Sequence, residues 1–144
     1  MRRVKSIAKL AMGLALALSL AGCQKPEYHD GVYSARSFAD DRGGYGVITV
    51  TLKGGRFAEC SYVSYTRDGK IKDRDYGRLH HGKQANAEFY GKAQKAVEGM
   101  NQYAGQLLNT QDPDKVDAVT GATRSYEQFQ DALEKALEQA EIGN

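Results

Sequence analysis

The residues of this 144-residue chain best suited to chemistry stand together near its carboxyl end, in Asp117-Ala118-Val119-Thr120-Gly121-Ala122-Thr123-Arg124-Ser125. Three hydroxyls, on Thr120, Thr123 and Ser125, are interleaved with Ala118, Gly121 and Ala122, small residues that leave the backbone uncovered. One acid, Asp117, precedes them. An amphipathic pattern follows, so the stretch reads as a turn entering a helix. Such a turn presents backbone N–H groups without intrahelical partners, and the helix dipole favours an anion beside them. The chemistry implied is a seat for a phosphate or a carboxylate. A plain helix cap competes with it: Ser125 as N-cap with Gln128 three residues on makes a capping box, and caps are commoner than anion sites.

Other reactive side chains form no comparable group. Cys60 lies within a strand pattern, with no His or second cysteine near it in sequence to activate it, and reads as a small core residue. The charged segment from Arg67 to His81 lacks the acid spacing of a calcium loop. His80-His81 has no third ligand at helical spacing and reads as an exposed loop pair. No acid, base and nucleophile occur together, and so short a chain leaves little room for a substrate pocket. Whether it is an enzyme at all is therefore uncertain.

The elements that must position the motif are legible from periodicity. Gly31 to Phe38 is a first strand candidate, and Asp40-Asp41-Arg42-Gly43-Gly44 a turn. Tyr45 to Lys53 alternates with period two, with Ile48, Val50 and Leu52 on one face. Gly54-Gly55 fits a tight hairpin, and Arg56 to Thr66 returns as its partner. Apolar positions in that partner start at Phe57 and resume at Cys60, Tyr62 and Ser64. A bulge near Ala58-Glu59 explains the change of face, and a two-sided strand without a bulge is the alternative. Asn86 can cap a helix over about 87–109, whose stripe is Phe89, Ala93, Val97, Met100, Ala104, Leu107 and Leu108. Gly99 weakens its middle. The last helix spans about Ser125 to Glu141 and buries Phe129, Ala132, Leu133, Ala136, Leu137 and Ala140. The expected class is α+β: a twisted antiparallel sheet packed against helices in a single domain.

The formal charge of +2 misrepresents the functional part of the chain. Arg2, Arg3, Lys5 and Lys9 all lie in the first 22 residues, which contain no acid. Setting those four aside leaves 16 of the 20 basic residues against 18 acidic ones, a net charge of −2. Nothing in that balance favours nucleic acid. Residues 1–22 combine a basic start with an apolar run too short for a comfortable membrane span, as a signal peptide does. They end in Leu20-Ala21-Gly22-Cys23, which resembles the bacterial lipobox. Cys23 is then the lipid anchor, residues 23–30 the tether and residues 31–144 the domain, held outside the cytoplasm on a membrane of the cell envelope. An ordinary secretory signal ending beside a coincidental cysteine is the alternative.

Asp117, Thr120, Gly121, Ala122 and Thr123 together resemble the signature of the FMN-binding domain family, with Thr120 where serine is frequent. The family includes the flavin subunits of sodium-pumping NADH:quinone reductase and Rnf complexes, and small cell-surface lipoproteins. In it, a flavin transferase joins the FMN phosphate to the last threonine of the motif through a phosphoester. The resemblance therefore implies covalent FMN on Thr123, with Arg124 and Ser125 beside its phosphate and Asp117 serving the transferase or orienting the turn. Asp68-Gly69-Lys70, Asp75-Tyr76-Gly77, Tyr90, Ala93-Gln94, Met100 and Tyr103-Ala104 are similar to the lipoprotein subgroup. Tyr76, Tyr103 and Tyr45 are the candidates for contact with the flavin ring. The implied function is electron relay between a membrane donor and an extracytoplasmic acceptor, whether redox proteins or a quinone-linked complex. The alternatives are a module holding another anionic ligand without covalent chemistry, and a structural surface lipoprotein or antigen with no cofactor.

Overall fold

The computed structural model describes residues 27–141, so the leader, Cys23 and most of the tether lie outside the described residues. A three-stranded antiparallel sheet in the order β1-β2-β3 forms the base, from β1 (Gly31–Arg36), β2 (Tyr45–Lys53) and β3 (Arg56–Tyr65). The alternation read in β2 is the alternation of burial: Ile48 and Val50 are fully buried and Leu52 nearly so, while Val47, Thr49 and Thr51 face the other side. Gly54 and Gly55 have φ of +56° and +69°. A two-residue hairpin with positive φ at both central positions matches the right-handed twist of its strands. Past the turn, Leu52 opposes Phe57 and Thr51 opposes Glu59. Ala58 is thus the extra residue of a bulge, which brings Phe57, Tyr62 and Ser64 to one face.

The 67–84 segment is not only loop. It contains a small second sheet, β4 (Leu79–His80) paired with β5 (Lys83–Gln84). Asn86 caps α1 (Ala87–Met100), its Oδ1 accepting from Phe89 N at 2.8 Å. The helical stretch expected over 87–109, weakened in its middle at Gly99, is two helices, α1 and α2 (Tyr103–Thr110), and the break falls at Asn101-Gln102. Gly99 stays helical and buried, because another element needs the space above it. Helix α2 ends at Gln111, whose φ of +56° turns the chain. The Gln111 amide then lies along the free edge of β3: Oε1 accepts from Phe57 N at 2.9 Å, and Nε2 donates to Phe57 O at 3.0 Å.

Helix α3 (Thr123–Ala140) crosses the inner face of β1 and β2. Phe129, Ala132, Ala136 and Ala140 are fully buried, and a large side chain so placed contributes about 1.5–3 kcal/mol of transfer free energy. Tyr62 meets Phe129 edge to face at 5.1 Å, its ring lying over Gly46, where a Cβ would fall 2.3 Å from the tyrosine oxygen. The amino end of the described chain is stapled to the far end of this helix. His29 N donates to Ala140 O at 2.8 Å, Tyr28 bridges Glu141, and Gly54 N donates to Asp30 Oδ1 at 2.7 Å. No helix among the described residues is long and apolar enough to cross a membrane.

Candidate functional site

The motif enters α3 through a β-turn closed by Ala122 N donating to Val119 O at 2.9 Å. Gly121 occupies its third position with φ of +86°, as a type II turn requires. Ala122 is buried against Gly99 of α1, where an added Cβ would stand 2.5 Å from the alanine methyl and 3.2 Å from Val119 Cγ1. Gly99 is therefore the contact that lets the turn sit down on the helix.

Tyr103 holds the turn from beneath. Its side chain is fully buried, its hydroxyl donates to Ala122 O at 2.9 Å and accepts from Val119 N at 3.3 Å. Burial raises the phenol pKa, so the hydroxyl keeps the proton it donates. A second clamp grips the approach to the turn: Gln106 Oε1 accepts from Asp117 N at 2.7 Å, and Gln106 Nε2 donates to Asp117 O at 3.2 Å.

Helix α3 starts two residues earlier than its periodicity suggests. The first intrahelical bond runs from Tyr126 N to Ala122 O at 2.9 Å, which makes Ala122 the N-cap, and no side chain among the described residues caps the end. The capping box of Ser125 with Gln128 does not form. Ser125 lies inside the first turn, and its carbonyl accepts from Tyr62 Oη at 3.1 Å. Gln128 is fully buried and points across the core, Nε2 donating to Gly44 O at 2.9 Å and to Phe38 O at 3.1 Å. The N–H groups of Thr123, Arg124 and Ser125 are left without intrahelical acceptors.

Beside them opens a cleft of about 230 Å³. Gly121, Ala122, Arg124 and Ser125 form one wall, Ala96, Val97 and Met100 of α1 the second, and Asp40, Asp41, Arg42, Lys72 and Tyr76 the third. Lys72 Nζ lies 3.5 Å from Asp40 Oδ2 with both side chains mostly buried. Asp40 Oδ1 also accepts from Arg42 N at 2.9 Å and Gly44 N at 2.8 Å, so its charge is consumed in shaping the turn. Arg124 is half exposed, 2.9 Å from Glu127 and 3.8 Å from Asp41. Arg42, Lys72 and Arg124 thus outnumber Asp40 and Asp41 by one charge beside an uncapped helix end, a balance that favours an anion there. The Tyr76 backbone is tied to α1 by Gln94 Nε2 at 2.8 Å, and Gly77, with φ of +85°, packs where a Cβ would strike Ala93.

The structure therefore brings Gly121, Ala122, Arg124, Ser125 and Tyr76 to one cleft. Thr123, Thr120 and Asp117 are exposed around the turn without lining it. Tyr103 lies behind the turn, out of reach of anything in the cleft. Tyr45 sits on the opposite face of the sheet, stacked on Tyr65 at 5.3 Å and under Arg36 at 3.5 Å. The charged residues Asp40, Asp41, Arg42 and Lys72 of the cleft carry no reading as site residues in the sequence. The Asp-x-x-Gly-Gly of the 40–44 turn signals a side chain bonding its own backbone, but nothing local pairs Lys72 with it. Cys60 is on the inner face of β3, half-buried, its thiol pushed up to about 11 by desolvation.

Residues 43–138 match the FMN-binding domain family, well over half of the chain. This chain belongs to the FMN-binding domain family. It is 30% identical to the 15 kDa lipoprotein of Treponema pallidum (strain Nichols) over 135 residues, covering 90% of this chain and 89% of that protein. The crystal structure of the CPE2226 protein from Clostridium perfringens superposes with a TM-score of 0.61 at 26% identity, covering 78% of this chain and 88% of that one. A protein from Clostridium thermocellum solved by NMR is also 26% identical, with a TM-score of 0.44. The turn therefore sets the uncapped start of α3 and the small residues Gly121 and Ala122 beside a cleft that Arg124, Arg42 and Lys72 share with Asp40 and Asp41.

Proposed function

We propose that the chain is a membrane-anchored, extracytoplasmic electron carrier that bears FMN on Thr123 Oγ1 through a phosphoester. The observation that carries this is the position of Thr123: exposed, first in α3, at a helix end that no side chain caps, one residue from the cleft wall. An exposed hydroxyl is open to a flavin transferase, and the flanking N–H groups with Arg124 would hold the phosphate once attached. Asp117, whose backbone Gln106 clamps and whose carboxylate is exposed, stands where it serves that enzyme and not the phosphate, since two anions repel. FMN supplies the redox chemistry; the chain positions it and keeps it from being lost outside the cytoplasm. The lipobox at Cys23 and the lipoprotein character of the Treponema relative support the anchor.

The test is mass spectrometry on protein made with its leader in a host that has a flavin transferase. Trypsin cuts after Lys115 and Arg124 and so releases the motif as one peptide, residues 116–124. That peptide should carry the mass of one FMN less one water, located on Thr123. Unmodified peptide from such a host would refute the covalent assignment.

A further inference from the structure

We infer that the end of the domain carrying the motif points away from the membrane and is the docking surface for a protein redox partner in the aqueous phase. The inference rests on the reading of Cys23 as anchor and Thr123 as flavin carrier. Its first support is connectivity. The chain enters the domain at Tyr28 and His29, which are bonded to Glu141 and Ala140 at the last turn of α3. Thr123 is the first residue of that same 18-residue helix. At 1.5 Å per residue the two ends are about 27 Å apart. Cys23 and Tyr28 are five residues apart in sequence, a reach of at most about 17 Å even fully extended. The motif is therefore at the pole farthest from the anchor.

The second support is charge. The cleft at the anchored pole is edged by Asp112, Asp114, Glu134, Glu138 and Glu141 against Arg56, with Lys115 paired to Asp112 and Lys53 opposite Arg56 in the adjoining hairpin, and so stays net acidic. Anionic headgroups repel such a face, so the body stands off the bilayer instead of lying on it. The third is paired apolar exposure at the motif pole. Ile71 and Leu79 are 54% and 69% exposed and line one cleft that shares Arg42 and Tyr76 with the motif cleft, whereas Val32, 67% exposed near the other end, lines neither. Exposed apolar side chains continuous with a cofactor site, on the side that cannot reach lipid, fit a protein surface. A quinol dissolved in the bilayer core is excluded as direct partner by the same distance. The partner exchanges an electron pair with the bound flavin, and the accompanying protons pass to water.

The test uses the acylated full chain in phosphatidylcholine–phosphatidylglycerol vesicles. In a Cys60→Ala background, one fluorophore is placed at Thr120→Cys and, separately, at Lys53→Cys in the anchored hairpin. Nitroxide-bearing lipid should quench the Lys53 site several-fold more than the Thr120 site, and aqueous iodide should not. Equal or reversed lipid quenching overturns the orientation, whether or not flavin is bound. With flavin bound, shown by absorbance that survives denaturation, Ile71→Asp with Leu79→Asp should slow electron exchange between the flavin and the membrane-free extracytoplasmic protein fraction of the host about tenfold or more, as loss of interface anchors does. Reduction by dithionite should not change. An unchanged rate with that fraction overturns the docking surface. Missing absorbance counts against the flavin reading and leaves the quenching result standing.

Discussion

Gly99→Ala is the sharpest test of how the motif is held, because the same protein contains its controls. Alanine normally strengthens a helix relative to glycine by about 1 kcal/mol. At Gly91 of α1 and Gly105 of α2 an added Cβ meets nothing within 4 Å, so Gly91→Ala and Gly105→Ala should each stabilise by up to that amount. At position 99 the Cβ lands 2.5 Å from the Ala122 methyl and 3.2 Å from Val119 Cγ1. Ordinary contact requires the turn to retreat by about 1 Å. That retreat pulls on the Tyr103 Oη bond to Ala122 O and on the first bond of α3, both 2.9 Å. Overpacking of this kind costs about 1–3 kcal/mol and a weakened buried hydrogen bond about 1 kcal/mol more. Net of the helix gain, Gly99→Ala should be destabilised by about 1–3 kcal/mol, with reduced flavin occupancy because Thr123 moves with the turn. Urea titration followed by circular dichroism measures the first, and the ratio of flavin to protein absorbance the second. If Gly99→Ala shifts the midpoint upward like Gly91→Ala, the proposed contact between α1 and the motif is not what holds the turn.

Thr123→Ala should abolish covalent flavin yet leave stability within about 0.5 kcal/mol, since the side chain is exposed and alanine suits a helix; a larger loss in thermal melts would give Thr123 a packing role. Tyr103→Phe removes two hydrogen bonds to the motif turn and should cost about 1–3 kcal/mol, read from the urea midpoint, with lower flavin loading; an unchanged midpoint would show that the turn holds without them. Cys60 makes folding pH-dependent at the alkaline end. Desolvation raises its folded pKa from the ordinary thiol value of 9.0 to about 11, so its stabilising effect is complete below pH 9 and is lost between pH 9 and 11. The loss should be on the order of 1–2 kcal/mol, discounted for partial exposure, and Cys60→Ala should show a correspondingly smaller decline than the parent. Alkylation of the folded protein by iodoacetamide should be slow at neutral pH; rapid alkylation would contradict the burial of the thiol.

Elements with a strong local period were legible from residues alone. The β2 alternation, the Gly54-Gly55 turn, the bulge at Ala58, the Asn86 cap and the buried stripe of α3 all appear where the pattern puts them. So does the turn with its small residues leading into α3, because those residues are consecutive in the chain. What was not legible depends on partners distant in sequence. Ser125 with Gln128 has the spacing of a capping box, yet the Val119–Ala122 turn starts the helix at Thr123 and the core takes Gln128 for the Phe38 and Gly44 carbonyls. Gly99 looks like a weak point in a long helix until Ala122 is placed over it. Lys72 sits in a run of charges that reads as solvated, and only the fold brings Asp40 to it. Tyr103 is singled out by the resemblance to the lipoprotein subgroup, but no local rule tells a tyrosine that lines a cleft from one that props up its wall.

The Gln111 amide against β3 has a consequence for crowding. Copies anchored side by side on one surface meet at an effective concentration far above that of a dilute solution, and a bare strand border invites the next copy to add its own strand. By offering Phe57 both a donor and an acceptor, Gln111 occupies part of that border with a side chain that no neighbour can extend. Gln139, donating to Ser34 O at 3.2 Å, fills a position in β1 in the same way. A dense lawn of such molecules, anchored as proposed, can therefore remain separate and not fuse into sheets.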